Sequence, residues 1–250
     1  MRTENFNPGL LDRAFIGGKI AETGAKVIFL GDGIKRFLSF DEIFKQSLLG
    51  VRLGLSVNPD SLSDYERKIM ELNYHILTIS DWDGVFANPL LAVFNKNERK
   101  ISLDAFRVLK KLSRASDDFY LLTSRFDAEE IREQIPFLRG LINFFQNGAI
   151  DFFPFLGGSS VTRLEKFGDR FKGKKGEGVG VLSGKSLNVF ERKEQLEKLI
   201  EDFLERNGQN SVAYIIGSSV FDRRAVLGLC QKDKNLAQKI IYIDMGHLIF

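Results

Sequence analysis

The run His75-Ile76-Leu77-Thr78-Ile79-Ser80 ends in Asp81-Trp82-Asp83-Gly84-Val85. A short, largely apolar run bounded by such a turn reads as a buried strand. Two carboxylates therefore stand two residues apart at the carboxyl end of a central strand, with a glycine directly after them. Open α/β sheets carry their active sites at that end of the strands. Carboxylates this close repel each other unless a cation or a shared proton holds them. The chemistry that suits such a pair is metal-assisted phosphoryl transfer, with one carboxylate as nucleophile and the other as proton shuttle.

Strands and helices alternate from residue 75 onward. Leu103 to Leu112 has helical periodicity, and Phe119-Tyr120-Leu121-Leu122 is a short strand ending at Thr123-Ser124-Arg125. Ala128 to Leu138 reads as a helix, Ile142 to Phe145 as a strand and Phe190 to Arg206 as a long amphipathic helix. Val212 to Ile216 and Lys239 to Ile243 read as further strands. This alternation predicts a three-layer α/β fold, Rossmann-like, with a central parallel sheet. Residues 1–74 read differently, as a small α+β appendage. Lys26 to Leu30 and Ile34 to Leu38 flank Gly31-Asp32-Gly33, a hairpin signal. Ser39 with Glu42 has the capping-box pattern, Val51 to Val57 suggests a strand, and Ser61 is placed as the cap of a helix reaching about Leu72. Residues 75–250 then form the main domain. Within it, about 150–187 is rich in Gly, Lys and Ser and reads as a small cap or flap. The short spacing from Asp81 to Thr123 leaves no room for a large cap.

Composition removes several functional classes. With 250 residues, 44% of them apolar, the chain can bury a substantial core. Its net charge of +3 is too mild to argue for nucleic acid and suits a small anionic substrate equally well. Cys230 is the only cysteine, which fits a reducing, cytoplasmic setting. Two histidines and one cysteine make a poor zinc set. No apolar run has the length of a membrane helix. Gly184-Lys185-Ser186 resembles the end of a phosphate-cradling loop, but Val179 stands where that loop needs glycine.

The motifs occur in a telling order. Asp81 and Asp83 end one strand and Thr123 ends the next; Lys193 opens the long helix, and Gly217-Ser218-Ser219-Val220-Phe221-Asp222 follows a third strand. Over residues 75 to 250 the chain resembles the haloacid dehalogenase-like hydrolase superfamily, phosphatase type. Asp81-Trp82-Asp83-Gly84-Val85 is similar to its first motif, Leu121-Leu122-Thr123-Ser124-Arg125 to its second and Gly217 to Asp222 to its fourth. Lys193 stands at the place of its third-motif lysine, with Lys185 as the rival. Phe145-Gln146-Asn147-Gly148-Ala149 resembles the turn common among its sugar-phosphate phosphatases. Ser218 departs from the usual pattern, which has Asp there.

The resemblance implies a Mg²⁺-dependent phosphomonoester hydrolase acting on a sugar phosphate or other small phosphorylated metabolite. Asp81 would form an aspartyl-phosphate, and Asp83 would protonate the leaving oxygen and then activate water. Thr123 would donate to a phosphate oxygen, and Lys193 would steady the charge. Ser124, Arg125 and Ser218 would line the substrate, and Asp81, Asp83 and Asp222 would hold Mg²⁺. Asp222 has a second reading as an ion-pair partner of Arg223 or Arg224, and Trp82 as a packing residue. A small cap leaves the site open, to be closed by the appendage or by a second copy of the chain. Loss of a carboxylate at Ser218 keeps open a non-enzymatic binding or regulatory role. A phosphotransferase or phosphoprotein phosphatase is a further alternative.

Overall fold

Strands that are apolar on both faces are stable only between two helical layers. Among the described residues the chain meets that need with a six-stranded sheet whose pairings are all parallel. A computed structural model of the chain describes residues 8–30, 39–82, 84–86, 103–122, 180–182 and 188–246. Helix α1 (Pro8–Glu22) leads to β1 (Lys26–Phe29), and the short helices α2 (Phe40–Lys45), α3 (Leu48–Arg52) and α4 (Asp64–Met70) lead to β2 (His75–Asp81). Helix α5 (Leu103–Ala115) then precedes β3 (Asp118–Leu122) and β4 (Gly180–Leu182). The last part runs α6 (Val189–Asn207), β5 (Ser211–Gly217), α7 (Val220–Lys232), α8 (Lys234–Gln238) and β6 (Ile240–Asp244). The spatial order is β1-β6-β5-β2-β3-β4.

Side chains of a strand alternate between faces, and the two cores follow that alternation. Ile76, Val212, Tyr214, Ile216, Ile241 and Ile243 point to one side, where Phe40, Phe44, Leu48, Ile69, Leu109 and Leu112 of α2–α5 cover them. Leu77, Ile79, Ala213, Ile215 and Tyr242 point to the other, under Ile16, Ile20, Leu199, Phe203, Val226 and Leu229 of α1, α6 and α7. The expected three-layer α/β sandwich is therefore present. No helix among the described residues is long and apolar enough to cross a membrane.

The amino-terminal residues depart from expectation. Lys26–Phe29 belongs to the same sheet as the main domain, in parallel register with Ile241–Asp244; residues 31–38, the turn and second arm of the expected hairpin, lie outside the described residues. Val51 to Val57 is no strand: Leu48–Arg52 is helical and a turn follows. Ser39 makes no side-chain capping bond. The cap of the helix expected at Ser61 is instead Ser63, which forms a capping box with Glu66 at the start of α4. Glu66 is buried and ties these residues to the sheet. Its carboxylate accepts from Lys26 Nζ (2.9 Å), Ser63 N–H (2.8 Å) and Tyr214 Oη (2.7 Å). Residues 180–182, assigned from sequence to a flap, form a strand beside β3, the last of the sheet among the described residues. The rest of that segment and the elements expected at 128–138 and 142–149 lie outside the described residues.

Candidate active site

From β2 the chain steps outward to β3 and β4, then returns to β5 on the other side of β2 and continues to β6. The direction of travel reverses between β2 and β5. In an open parallel sheet, such a switch point leaves a crevice at the carboxyl ends of the strands. Asp81 is the last residue of β2 and is only 7% exposed. The Trp82 N–H donates to the Leu122 carbonyl (2.9 Å), which holds the strand end against β3.

The register builds the rest of the site. Ser80 pairs with Ile216, so Asp81 stands level with Gly217; Gly217 pairs in turn with Asp244. All three positions face the α1, α6 and α7 layer, two residues on from Ile79, Ile215 and Tyr242. Gly217 leaves a gap between the two acidic positions, and Asp222 from the first turn of α7 fills it. A Cβ on Gly217 would lie 2.7 Å from the Asp222 Cβ and 2.9 Å from its Cγ. Asp81, Asp222 and Asp244 thus form an acidic row across three strands. Gly84 adopts a φ of +85°, and its Cα comes so near Ser218 that any Cβ would overlap the Ser218 Oγ. Gly84 is therefore seated on the loop after β5.

Each of the two carboxylates beside Asp81 is met by buried arginine. Asp222 Oδ1 accepts from Arg192 Nη1 (3.0 Å), a residue 2% exposed. Asp222 Oδ2 accepts from Ser219 Oγ (2.6 Å), Ser219 N–H (3.0 Å) and Ser218 N–H (3.3 Å), while the Asp222 N–H donates to Ser219 Oγ (3.1 Å). This is a reciprocal capping box at the start of α7. Arg192 also reaches Ser219 Oγ (3.2 Å) and lies over the Phe221 ring at 5.7 Å. Asp244 accepts from Arg223 Nε (2.6 Å) and from Arg13 Nε (2.9 Å), and Arg13 also donates to the Asp244 and Leu30 carbonyls. Helix α1 thereby contributes a charge to this end of the sheet. Besides these arginines and the acidic row, Glu66 is the only buried charged residue among the described residues.

Tyr242 lies beneath this cluster. Its hydroxyl is buried without a hydrogen-bond partner. Burial first, and then the nearby carboxylates of Asp244 and Asp222, push the phenol well above its ordinary range; Arg223 opposes them and Asp81 adds to them. The Trp82 indole N–H is likewise buried and without a partner. Trp82 packs in the α2–α5 core beside Phe86 (ring centroids 6.1 Å apart), which matches its reading as a packing residue.

Of the residues expected to form the site, Asp81, Ser218 and Asp222 come together. Lys193 does not join them: its stem lies along Gly228, well down α7 from Asp222. Its neighbour Arg192 is the side chain of this helix that reaches Asp222. The signal for this is in the sequence, since Arg192, Gln195, Leu196, Leu199, Ile200 and Phe203 form the buried stripe of α6 at helical spacing. The ion-pair reading of Asp222 is correct in kind, with a salt bridge to Arg192, while Arg223 bonds Asp244. Asp83, Thr123, Ser124, Arg125 and Lys185 lie outside the described residues. Of the Mg²⁺ ligands that the motifs imply, Asp81 and Asp222 stand at the strand tips and Asp83 lies outside the described residues. Both oxygens of Asp222 are engaged by protein donors, and position 218 carries a hydroxyl. Among the described residues no group of three His, Cys, Asp or Glu side chains is arranged to hold a metal. Comparison with protein-family models, curated proteins and solved structures returns no match.

Proposed function

We propose that the chain is a phosphomonoester hydrolase of the haloacid dehalogenase-like kind, with Asp81 as nucleophile and a sugar phosphate or other small phosphorylated metabolite as substrate. The observation that carries this reading is the position of Asp81: a buried carboxylate at the tip of the central strand, beside the switch point, level with Gly217. An Asp81 carboxylate oxygen attacks phosphorus, the bond from phosphorus to the ester oxygen breaks, and the departing oxygen takes a proton from Asp83. Water then attacks the acyl-phosphate and gives its proton to Asp83. Inorganic phosphate leaves and the Asp81 carboxylate is restored. Thr123 donates to a phosphate oxygen, and Ser124, Arg125 and Ser218 face the remainder of the substrate. Positioning and charge stabilisation carry most of the rate gain.

A second reading is a phosphate-binding or regulatory protein with weakened catalysis. It is favoured by Ser218 and by the engagement of Asp222 with Arg192 and Ser219. A panel of phosphomonoesters, including p-nitrophenyl phosphate, assayed with and without Mg²⁺, separates the two. Hydrolysis that falls by about 10⁴-fold in Asp81→Asn supports the enzyme. Phosphate binding with no turnover on any member of the panel supports the binding protein.

A further inference from the structure

Helix α1 sends one buried side chain to the carboxyl end of the sheet, and bonds connect it to the loop of Ser218. Arg13 donates from Nε to Asp244 Oδ1 (2.9 Å). Its Nη2 donates to the Asp244 and Leu30 carbonyls, so one guanidinium holds both the backbone and the carboxylate at the tip of β6. Arg223 of α7 meets the same carboxylate, with Nε on Oδ2 (2.6 Å) and Nη2 on Oδ1 (3.2 Å). That Nη2 also donates to the Ser218 carbonyl (3.3 Å). On its other side the Ser218 N–H donates to Asp222 Oδ2 (3.3 Å), while Arg192 secures Asp222 Oδ1. Buried ion pairs therefore grip the backbone of Ser218 from both directions: Arg192 with Asp222, and Arg223 with Asp244 and Arg13.

The charge count gives Arg13 a share in this arrangement. Among the described residues the strand tips bury three carboxylates, Asp81, Asp222 and Asp244, and three arginines, Arg13, Arg192 and Arg223. The two signs balance only when the arginine of α1 is included. Arginine prefers to meet a carboxylate through two parallel bonds. With Arg13 in place, Arg223 shares Asp244 and spends part of Nη2 on Ser218. Without Arg13, Arg223 is drawn into a full two-bond pair with Asp244 and gives up the longer bond to the Ser218 carbonyl. We propose that Arg13 is a positioning residue of the active centre, which sets Ser218 through Asp244 and Arg223, so that helix α1 belongs to the site. The proposal rests on the reading of the strand tips as a phosphomonoester hydrolase centre with Ser218 facing the substrate.

A double-mutant cycle between Arg13→Ala and Ser218→Ala in the full chain, read as kcat/KM for the best phosphomonoester of the panel, tests it. The expected result is a loss of about tenfold in Arg13→Ala, carried by kcat, and a further loss of less than about twofold when the same change is made in the Ser218→Ala background. Arg13→Lys, which keeps the charge but loses the planar fork, should recover part of the loss, and it supplies the cycle if Arg13→Ala does not fold. Tyr214→Phe, whose hydroxyl bonds Glu66 on the other face of the sheet, is the control for stability alone. It should unfold at lower urea concentration and keep kcat/KM within about twofold. Unchanged turnover in Arg13→Ala, equal losses in both backgrounds, or a matching loss in Tyr214→Phe overturns the positioning role and leaves the hydrolase reading standing. No turnover of any phosphomonoester by the unmutated chain overturns the hydrolase reading, and the positioning role with it.

Discussion

At the scale of single residues, one step along a helix decides which side chain reaches Asp222. Successive residues of an α-helix differ by about 100° in direction, so Arg192 faces the sheet and Lys193 faces the flank of α7. Lys193→Ala should leave turnover and phosphate binding within about twofold, because deletion of a half-exposed stem away from the strand tips removes little. Arg192→Ala should destabilise the fold by about 3–5 kcal/mol, since it leaves Asp222 buried without its counter-charge; urea unfolding checks this. Gly217→Ala should cost about 1–3 kcal/mol by driving a methyl into Asp222. The placement of Asp81 was legible because a strand ending in a carboxylate and a turn is a local pattern. The identity of the cation was less so. A lysine near a helix start attracts notice, whereas a buried arginine is recognised only when it is counted as a member of the apolar stripe.

At the scale of elements, the amino-terminal residues show why local signals mislead. Lys26-Val27-Ile28-Phe29 followed by Gly31-Asp32-Gly33 carries a nearby turn signal. Its partner among the described residues is Ile241–Asp244, at the other end of the chain. Parallel pairing is non-local and leaves no mark in the strand itself. The two networks that bind these residues to the rest are equally non-local: Arg13 with Asp244, and Lys26 and Glu66 with Tyr214. Tyr214→Phe removes a donor to Glu66 and the acceptor of the Leu48 N–H (3.0 Å), so a loss of about 1–3 kcal/mol is expected in urea unfolding. By contrast α5, β3, α6, β5 and β6 were readable within a residue or a few at each end. Their periods of 2 and 3.6 are set by burial between two layers, and burial is what composition along the chain records.

At the scale of the whole molecule, the sandwich buries its phenols along with its aliphatic core. All five tyrosines are raised above the ordinary value of 10.0, in each case with burial as the largest cause. A group whose folded pKa lies above its unfolded value stabilises the fold below the unfolded pKa, and that contribution is lost as pH climbs toward the folded one. The native protein should therefore show little tyrosinate absorbance at pH 10, with stability falling from about pH 10 upward and the phenolate signal rising together with loss of ellipticity. The proposed function asks one carboxylate at the edge of this buried interior, Asp81, to carry the chemistry. Rapid mixing with a turned-over phosphomonoester, followed by quenching, borohydride reduction and peptide mass analysis, tests that role most directly. The account predicts that an acyl-phosphate is reduced at Asp81 alone, and only when substrate is present. Turnover with an unmodified Asp81, or a phosphorylated side chain elsewhere, would contradict it.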